Sequence, residues 1–350
     1  MVKGDYFTLA RQVQAAVDPL LTSFLESKVA LAKKIHPRAC ELFQELIRSL
    51  KGGKRNRPTL LVAGYLAGGG KNISAILPAA AAIEIFHMYA LIHDDIMDRA
   101  PLRRFKPTSV AFLENKLGSY HLGMSAAILA GDLAKTLADE FFLKSKVGAE
   151  HLRRALEIYT LLKEEVELGQ YLDVRLGNGP SLSTSDLNAI LMYKTAKYSF
   201  ERPLQIGAQL TGATVAIQQA LSRFAVPIGM AFQIQDDILG VFGDETEIGK
   251  SADSDIKEGK LTLLKIEALK RAGPADKKTL LRVLGNPKAK KSEVAAVRNI
   301  FKRTGTHEYT KARSFALARQ AKKSLAGSAL PPRATALLSS FADFILQRPL

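Results

Sequence analysis

The sequence predicts an all-α protein, and three observations carry the prediction. Apolar residues recur at helical rather than alternating spacing through most of the chain. Runs of alternating β-branched residues are scarce. Breakers rich in glycine, proline and small polar residues fall at helix-length intervals.

Taken in order, these breakers are KGGKRNRP (51–58), GGGKN (68–72), DRAP (98–101), RLGNGPSLSTSD (175–186), DETEIGKSAD (244–253), RAGPAD (271–276), LGNPKAKKS (284–292) and GSALPPR (327–333). Pro58 is placed to open a helix, since its missing N–H would find no partner in a first turn anyway. Ser183, three residues before Asp186, marks another helix start. The longest apolar run, LPAAAAIEIFHMYALI (77–92), carries Glu84 and His87 and then meets the aspartates of HDDIMD. No stretch reaches the roughly 18 uncharged apolar residues of a membrane span. The segments read as one domain of ten or more helices, with basic helices after about residue 266 belonging to the same body.

Bulk properties narrow the class further. The 350 residues are 47% hydrophobic, enough for a large core. The N-terminal stretch MVKGDYFTLARQVQ lacks an apolar signal region, and the lone Cys40 excludes a disulfide framework. A cytoplasmic protein is expected. From residue 266 onward 18 Lys/Arg face 5 Asp/Glu, which supplies 13 of the net charge of +16. Those charges alternate with apolar residues, as on the outer faces of helices, and predict at most a weak attraction to anionic membrane surfaces and no specific nucleic-acid binding.

The chemistry concentrates in two acidic segments. In HDDIMD, Asp94 and Asp98 stand one turn apart on one helix face, and His87 joins that face about 10 Å away. Like charges so placed repel, and a divalent cation offsets them directly. Asp95 points elsewhere and is suited to accept from an arginine. In the second segment Gln233, Asp236, Asp237 and Gly240 follow i, i+3, i+4, i+7 spacing, ahead of Lys250, Asp255 and Lys260. Carboxylates without a Cys/His set favour Mg²⁺, with Mn²⁺ the alternative, and substrate phosphate would complete the metal shells. Lys54, Arg55 and Arg57, then Arg103 and Arg104, then Lys194 and Lys197 supply phosphate-binding charge. No Walker loop is present.

In this order the motifs resemble those of the trans-isoprenyl diphosphate synthases, the family of farnesyl and geranylgeranyl diphosphate synthases. The resemblance covers about residues 40–265: GGKRNRP, HMYALIHDDIMD, LRR, GD (131–132), ELGQYLDV (167–174), YKTAKYSF (193–200) and QDDILGVFGD through SDIKEGK (235–260). It implies an isoprenoid-synthase bundle around a central cavity and a homodimer. It also implies three Mg²⁺ per site. Asp94 and Asp98 would hold two of them, and Asp236 with Asp255 the third, with Asp237 nearby. Arg103, Lys194 and Lys260 would bind an allylic diphosphate; Lys54, Arg57, His87 and Arg104 would bind isopentenyl diphosphate; and Lys250 would belong to the substrate-binding set. Gln170 and Asp173 would face the pocket, and Thr195 and Gln233 would set oxygen dipoles beside an allylic cation. Tyr89 and Ala90, five and four residues before Asp94, would limit product length near C20, with C15 and C25 as neighbours. A terpene cyclase would lack the set of Lys54, Arg57 and Arg104, and a non-catalytic partner subunit would lack one aspartate motif. Two features depart from the family pattern. Gly240 stands where many members carry a third aspartate, and Phe105–Lys106 stand where a glycine commonly follows the arginine pair.

Overall fold

The computed structural model describes residues 5–177, 183–243 and 253–348. Helices account for nearly all of it: α1 (Tyr6–Ile35), α2 (Cys40–Leu50), α3 (Asn56–Ala67), α4 (Leu77–Met97), α5 (Ser109–Leu117), α6 (Tyr120–Phe142), α7 (Ala149–Gly177), α8 (Thr184–Ile190), α9 (Arg202–Gln209), α10 (Val215–Phe242), α11 (Ser254–Glu258), α12 (Leu263–Arg271), α13 (Pro274–Val283), α14 (Lys291–Arg303), α15 (Thr306–Lys323) and α16 (Pro332–Gln347). A short hairpin pairs β1 (Leu102–Arg103) with β2 (Lys106–Pro107). The all-α prediction holds, and among the described residues each named breaker coincides with a helix break, residues 178–182 and 244–252 of two of them lying outside the described residues. Further breaks at 36–39, 118–119, 143–148 and 210–214 carry no such signal. Residues group into two compact units, 1–159 with 203–219 and 329–338, and 160–202 with 220–328 and 339–350.

In the first unit α4 is the core helix. Ala79, Ala80, Ala81, Ala82, Ile83, Ile85 and Phe86 are all fully buried, which is why the run is apolar on every side. Its most extensive partner is α6, which offers Ala127, Ala130, Gly131, Ala134 and Ala138. Small residues facing small residues let the two backbones approach closely. By length and composition α4 and α10 could each cross a membrane, but 67% of the most apolar window of Ile73–Met97 is buried inside the protein, as expected of a core helix.

In the second unit α8 starts where Ser183 predicts. The Ser183 hydroxyl accepts from the Asp186 N–H at 3.0 Å, and the Asp186 carboxylate accepts from the Ser183 N–H at 3.2 Å. Beyond α8 the chain widens into a π-helical segment, Leu191–Glu201, before narrowing again into α9. Two glycines clasp this segment. A Cβ on Gly169 of α7 would lie 2.5 Å from the Lys194 nitrogen, and one on Gly229 of α10 would lie 2.7 Å from the Ala196 Cα. Only a bare Cα tolerates such backbone contact. Replacing Gly229 with alanine is therefore expected to cost about 1–3 kcal/mol by overpacking, read as a lower urea midpoint with an unchanged slope.

Candidate active site

In the first unit the acidic motif closes α4. Asp94 and Asp95 lie in its last turn and Asp98 is its C-cap, whose N–H donates to the Asp94 carbonyl at 2.9 Å. Carboxylates repel one another here and also meet the negative end of the helix dipole. No basic residue sits in the helix's last turn. The offset comes from β1: Arg103 donates through Nη2 to Asp94 Oδ2 and through Nε to Asp95 Oδ1, both at 2.8 Å. The arginine acceptor foreseen at Asp95 is thus in place. Asp95 is 5% exposed, and burial pushes its pKa up to about 6 against the pull of Arg103. Arg103 thus bridges two of the three carboxylates that crowd the end of α4.

The basic residues of this unit divide into two kinds. Arg55 turns inward and is 5% exposed, donating to Asp18 at 2.6 Å, Glu84 at 2.8 Å and the Leu50 carbonyl at 2.8 Å. It fixes the bend that presents Lys54, which is exposed, and Arg57, which is half-buried. Sequence reasoning placed Arg55 beside Lys54 and Arg57 without telling them apart. The signal was Glu84, a lone carboxylate in an apolar helix that needs a buried cation. His87, one turn further along α4, is held neutral well below its ordinary pKa, first by burial and then by the positive field of Arg57, Arg104, Arg103 and Arg55. Arg57 and Arg104, assigned with His87 to isopentenyl diphosphate, thus both act on this imidazole.

The loop after Arg103 resolves the missing glycine. Leu102 pairs with Pro107 and Arg103 with Lys106, leaving Arg104 and Phe105 as a two-residue turn with φ of 53° and 60°. This left-handed turn suits the twist of a hairpin but normally takes Asn-Gly. It aims Arg104 back at the glycine bend, where Nη1 donates to the Gly52 carbonyl. Arg55 and Arg99 also have positive φ, so the backbone strain of this unit clusters at its basic loops. Deeper along α4, the Tyr89 ring packs 5.2 Å from Phe86 and 4.6 Å from His93, with the Lys135 ammonium 5.2 Å over its face. Ala90 beside it is half-buried.

In the second unit a chain of polar contacts links four assigned residues. Thr195 donates to Gln233 at 2.9 Å, Gln233 donates to Asp237 at 2.9 Å, and Lys260 donates to the same Asp237 oxygen at 3.3 Å. Asp237 is buried, and that burial raises its pKa despite Lys260. Asp236 points outward with its side chain 38% exposed. On the π-helical segment, Lys194 contacts Asp173 of α7 at 2.5 Å; Gln170, one turn before Asp173, is half-buried. Lys197 contacts Glu165 at 2.6 Å, alongside Arg202, so it braces the fold instead. Gly240 gains a physical reason: a Cβ there would collide with the carboxylate of Asp255. The buried Asp255 thus occupies space that a third aspartate of the motif would claim. Lys250 lies outside the described residues.

The donor set fits hard divalent ions shared with phosphate. Among the described residues no three His, Cys, Asp or Glu side chains converge as a cage. Asp98 is exposed and Asp94 and Asp236 are half-buried, and Mg²⁺ characteristically takes one or two carboxylates and fills its remaining positions with water and substrate oxygens.

With this geometry in place, comparison with known proteins is direct. The polyprenyl synthetase family model matches residues 40–301. The chain is 38% identical over 254 residues to the short chain isoprenyl diphosphate synthase of Methanocaldococcus jannaschii, covering 72% of this chain and 73% of that protein. It is 33% identical over 301 residues to the geranylgeranyl diphosphate synthase of Sulfolobus acidocaldarius, covering 85% and 84%. The crystal structure of the geranylgeranyl pyrophosphate synthase from Corynebacterium glutamicum, complexed with isoprenyl diphosphate and magnesium, matches with a TM-score of 0.91 at 32% identity over 97% of this chain and 99% of that one. The chain belongs to the polyprenyl synthetase family. It is a prenyltransferase with the all-α fold of that family.

Two outcomes follow from these loops and side chains. Phe105 is 58% exposed and in the left-handed region, so Phe105→Gly is expected to raise unfolding stability by about 1 kcal/mol, seen as a higher Tm. His87 has a folded pKa below its unfolded value. Between the two, the unfolded chain binds the extra proton, so stability falls as pH drops below 6.5 toward the folded pKa and is fully present above 6.5. Melting curves from pH 7.5 to 5 should therefore show His87→Asn losing less stability on acidification than the parent.

Proposed function

We propose that this enzyme condenses isopentenyl diphosphate with allylic diphosphates, with Mg²⁺, to a trans-polyprenyl diphosphate, principally geranylgeranyl diphosphate. The observation that carries the reading lies at the end of α4. There Arg103 bridges Asp94 and Asp95, and two turns back along α4 a neutral His87 lies in the positive field of Arg57, Arg104 and Arg103. Carboxylates for a metal and cations for a phosphate are what a metal–diphosphate complex requires.

In this reading Asp94 and Asp98 hold two Mg²⁺ and Asp236, with Asp255, holds the third. Bound there, the ions supply Lewis acidity to the leaving diphosphate. Arg103, Lys194 and Lys260 give up their carboxylate partners to that diphosphate and stabilise the charge it takes on. The allylic C–O bond breaks with its electron pair going to oxygen. The Thr195 hydroxyl and the Gln233 amide oxygen face the resulting allylic cation. Lys54, Arg57, His87 and Arg104 hold isopentenyl diphosphate so that its double bond donates the pair for the new C–C bond. A proton then leaves the neighbouring carbon, and the released diphosphate is the nearest base. Tyr89, about 7.5 Å down the helix from Asp94, ends the space for the growing chain, its ring fixed by Phe86, His93 and Lys135.

A homodimer accompanies this reading. Leu122 and Leu129, seven residues apart on α6, are 51% and 57% exposed, an apolar face suited to a second copy. The protein is assigned to the cytoplasm. Exposed Lys302, Arg319, Lys322 and Lys323 give the basic helices α14 and α15 a weak affinity for anionic lipid.

Pure protein incubated with radiolabelled isopentenyl diphosphate and each allylic diphosphate should make labelled product only with Mg²⁺, mainly of C20 length. No product from any allylic partner would overturn the assignment. Asp98→Ala and Asp236→Ala should each lower kcat/KM by about 10²–10³-fold. Tyr89→Ala should shift the product to longer chains, and an unchanged length would remove Tyr89 as the floor.

A further inference from the structure

Arg348, just beyond α16, was not singled out by any sequence motif, yet its Nη1 lies 2.7 Å from Asp236 Oδ1. Its guanidinium also lies 5.2 Å from the ring centroid of Phe232, one turn before Asp236 on α10. The segment leading to it is pinned. Gln235 donates to the Ile345 carbonyl at 2.8 Å, and the Phe341 ring packs 5.9 Å from Phe200. The Arg348 side chain is 18% exposed, and its Nη1 is buried without an aligned hydrogen bond. The contact is charge pairing by proximity, held in place by its surroundings.

A carboxylate oxygen so close to a guanidinium is poorly placed for a divalent cation, because Mg²⁺ sits about 2.1 Å from its oxygen ligands. Two positive charges would then lie within a few ångströms of one another. We infer that Arg348 is a positioning residue that competes with metal for Asp236, so that metal joins this carboxylate only as Arg348 leaves it. The arriving diphosphate offers the displaced guanidinium a new anion, which couples metal loading to substrate arrival. The inference rests on Asp236 as a metal ligand, the assignment made under the proposed function.

The test is Mn²⁺ binding to the full chain without substrate, followed by electron paramagnetic resonance of the free ion. Arg348→Ala is expected to tighten Mn²⁺ binding roughly 2- to 5-fold, the scale of a partly exposed ion pair. Arg348→Gln, which keeps a polar side chain in the same packing, should do likewise, and Arg348→Lys should restore the parent affinity. In an Asp236→Ala background the Arg348 effect should vanish. Unchanged affinity in both neutral variants, or tightening that persists without Asp236, overturns the inference. If Asp236→Ala binds Mn²⁺ like the parent, the ligand assignment and this inference fall together. If Asp236→Ala weakens binding while Arg348→Ala changes nothing, only this inference falls.

Discussion

The chain places negative charge where helices are already negative. Asp94, Asp95 and Asp98 crowd the last turn and C-cap of α4, and Asp236 and Asp237 stand within two turns of the end of α10. Neither terminal turn carries its own lysine or arginine. Each carboxylate set therefore draws cations from elsewhere: Arg103 from the hairpin, Lys260 from beyond α11, and Arg348 from beyond α16. Much else in each unit serves that arrangement. The small-residue seam between α4 and α6 lets a mostly apolar helix carry its acidic end to the surface of the core. Gly169 and Gly229 hold the π-helical segment whose Lys194 and Thr195 face Asp173 and Gln233.

Such pairing has a chemical use. A metal and a diphosphate together can take over both halves of an ion pair, the metal binding the carboxylate and the diphosphate the guanidinium or ammonium. Exchange of this kind keeps charges compensated before and after binding, so no group is left buried and alone. His87 fits the same logic: a neutral imidazole among four guanidiniums gains most from an incoming anion.

Much of this was legible in the sequence. The period of the apolar residues and the spacing of the breakers gave the helices; Ser183 with Asp186 marked a helix start that the capping box bears out. The i, i+4 spacing of Asp94 and Asp98 and the motif order identified the family. What remained hidden depends on three dimensions. The residues YKTAKYSF look like ordinary helix, and no local pattern announces the π-helical turn against which Gly169 and Gly229 pack. KRNR does not reveal that Arg55 turns inward, because that is decided by Glu84, 29 residues away. Gly240 looked like a lost ligand until Asp255 was found against it. Arg348 reaches Asp236 across more than a hundred residues of chain, a distance over which spacing arguments carry no information.

The central claim, that carboxylates and cations in this protein are paired so as to exchange partners with a metal–diphosphate complex, can be measured without turnover. Calorimetric titration of inorganic diphosphate would be run with and without Mg²⁺, and of Mg²⁺ with and without diphosphate. The account predicts weak binding of either alone and mutual strengthening by at least about 10-fold, equal in both directions as linkage requires. Equal affinities with and without the other partner, after correction for the complex the two form in solution, would contradict it.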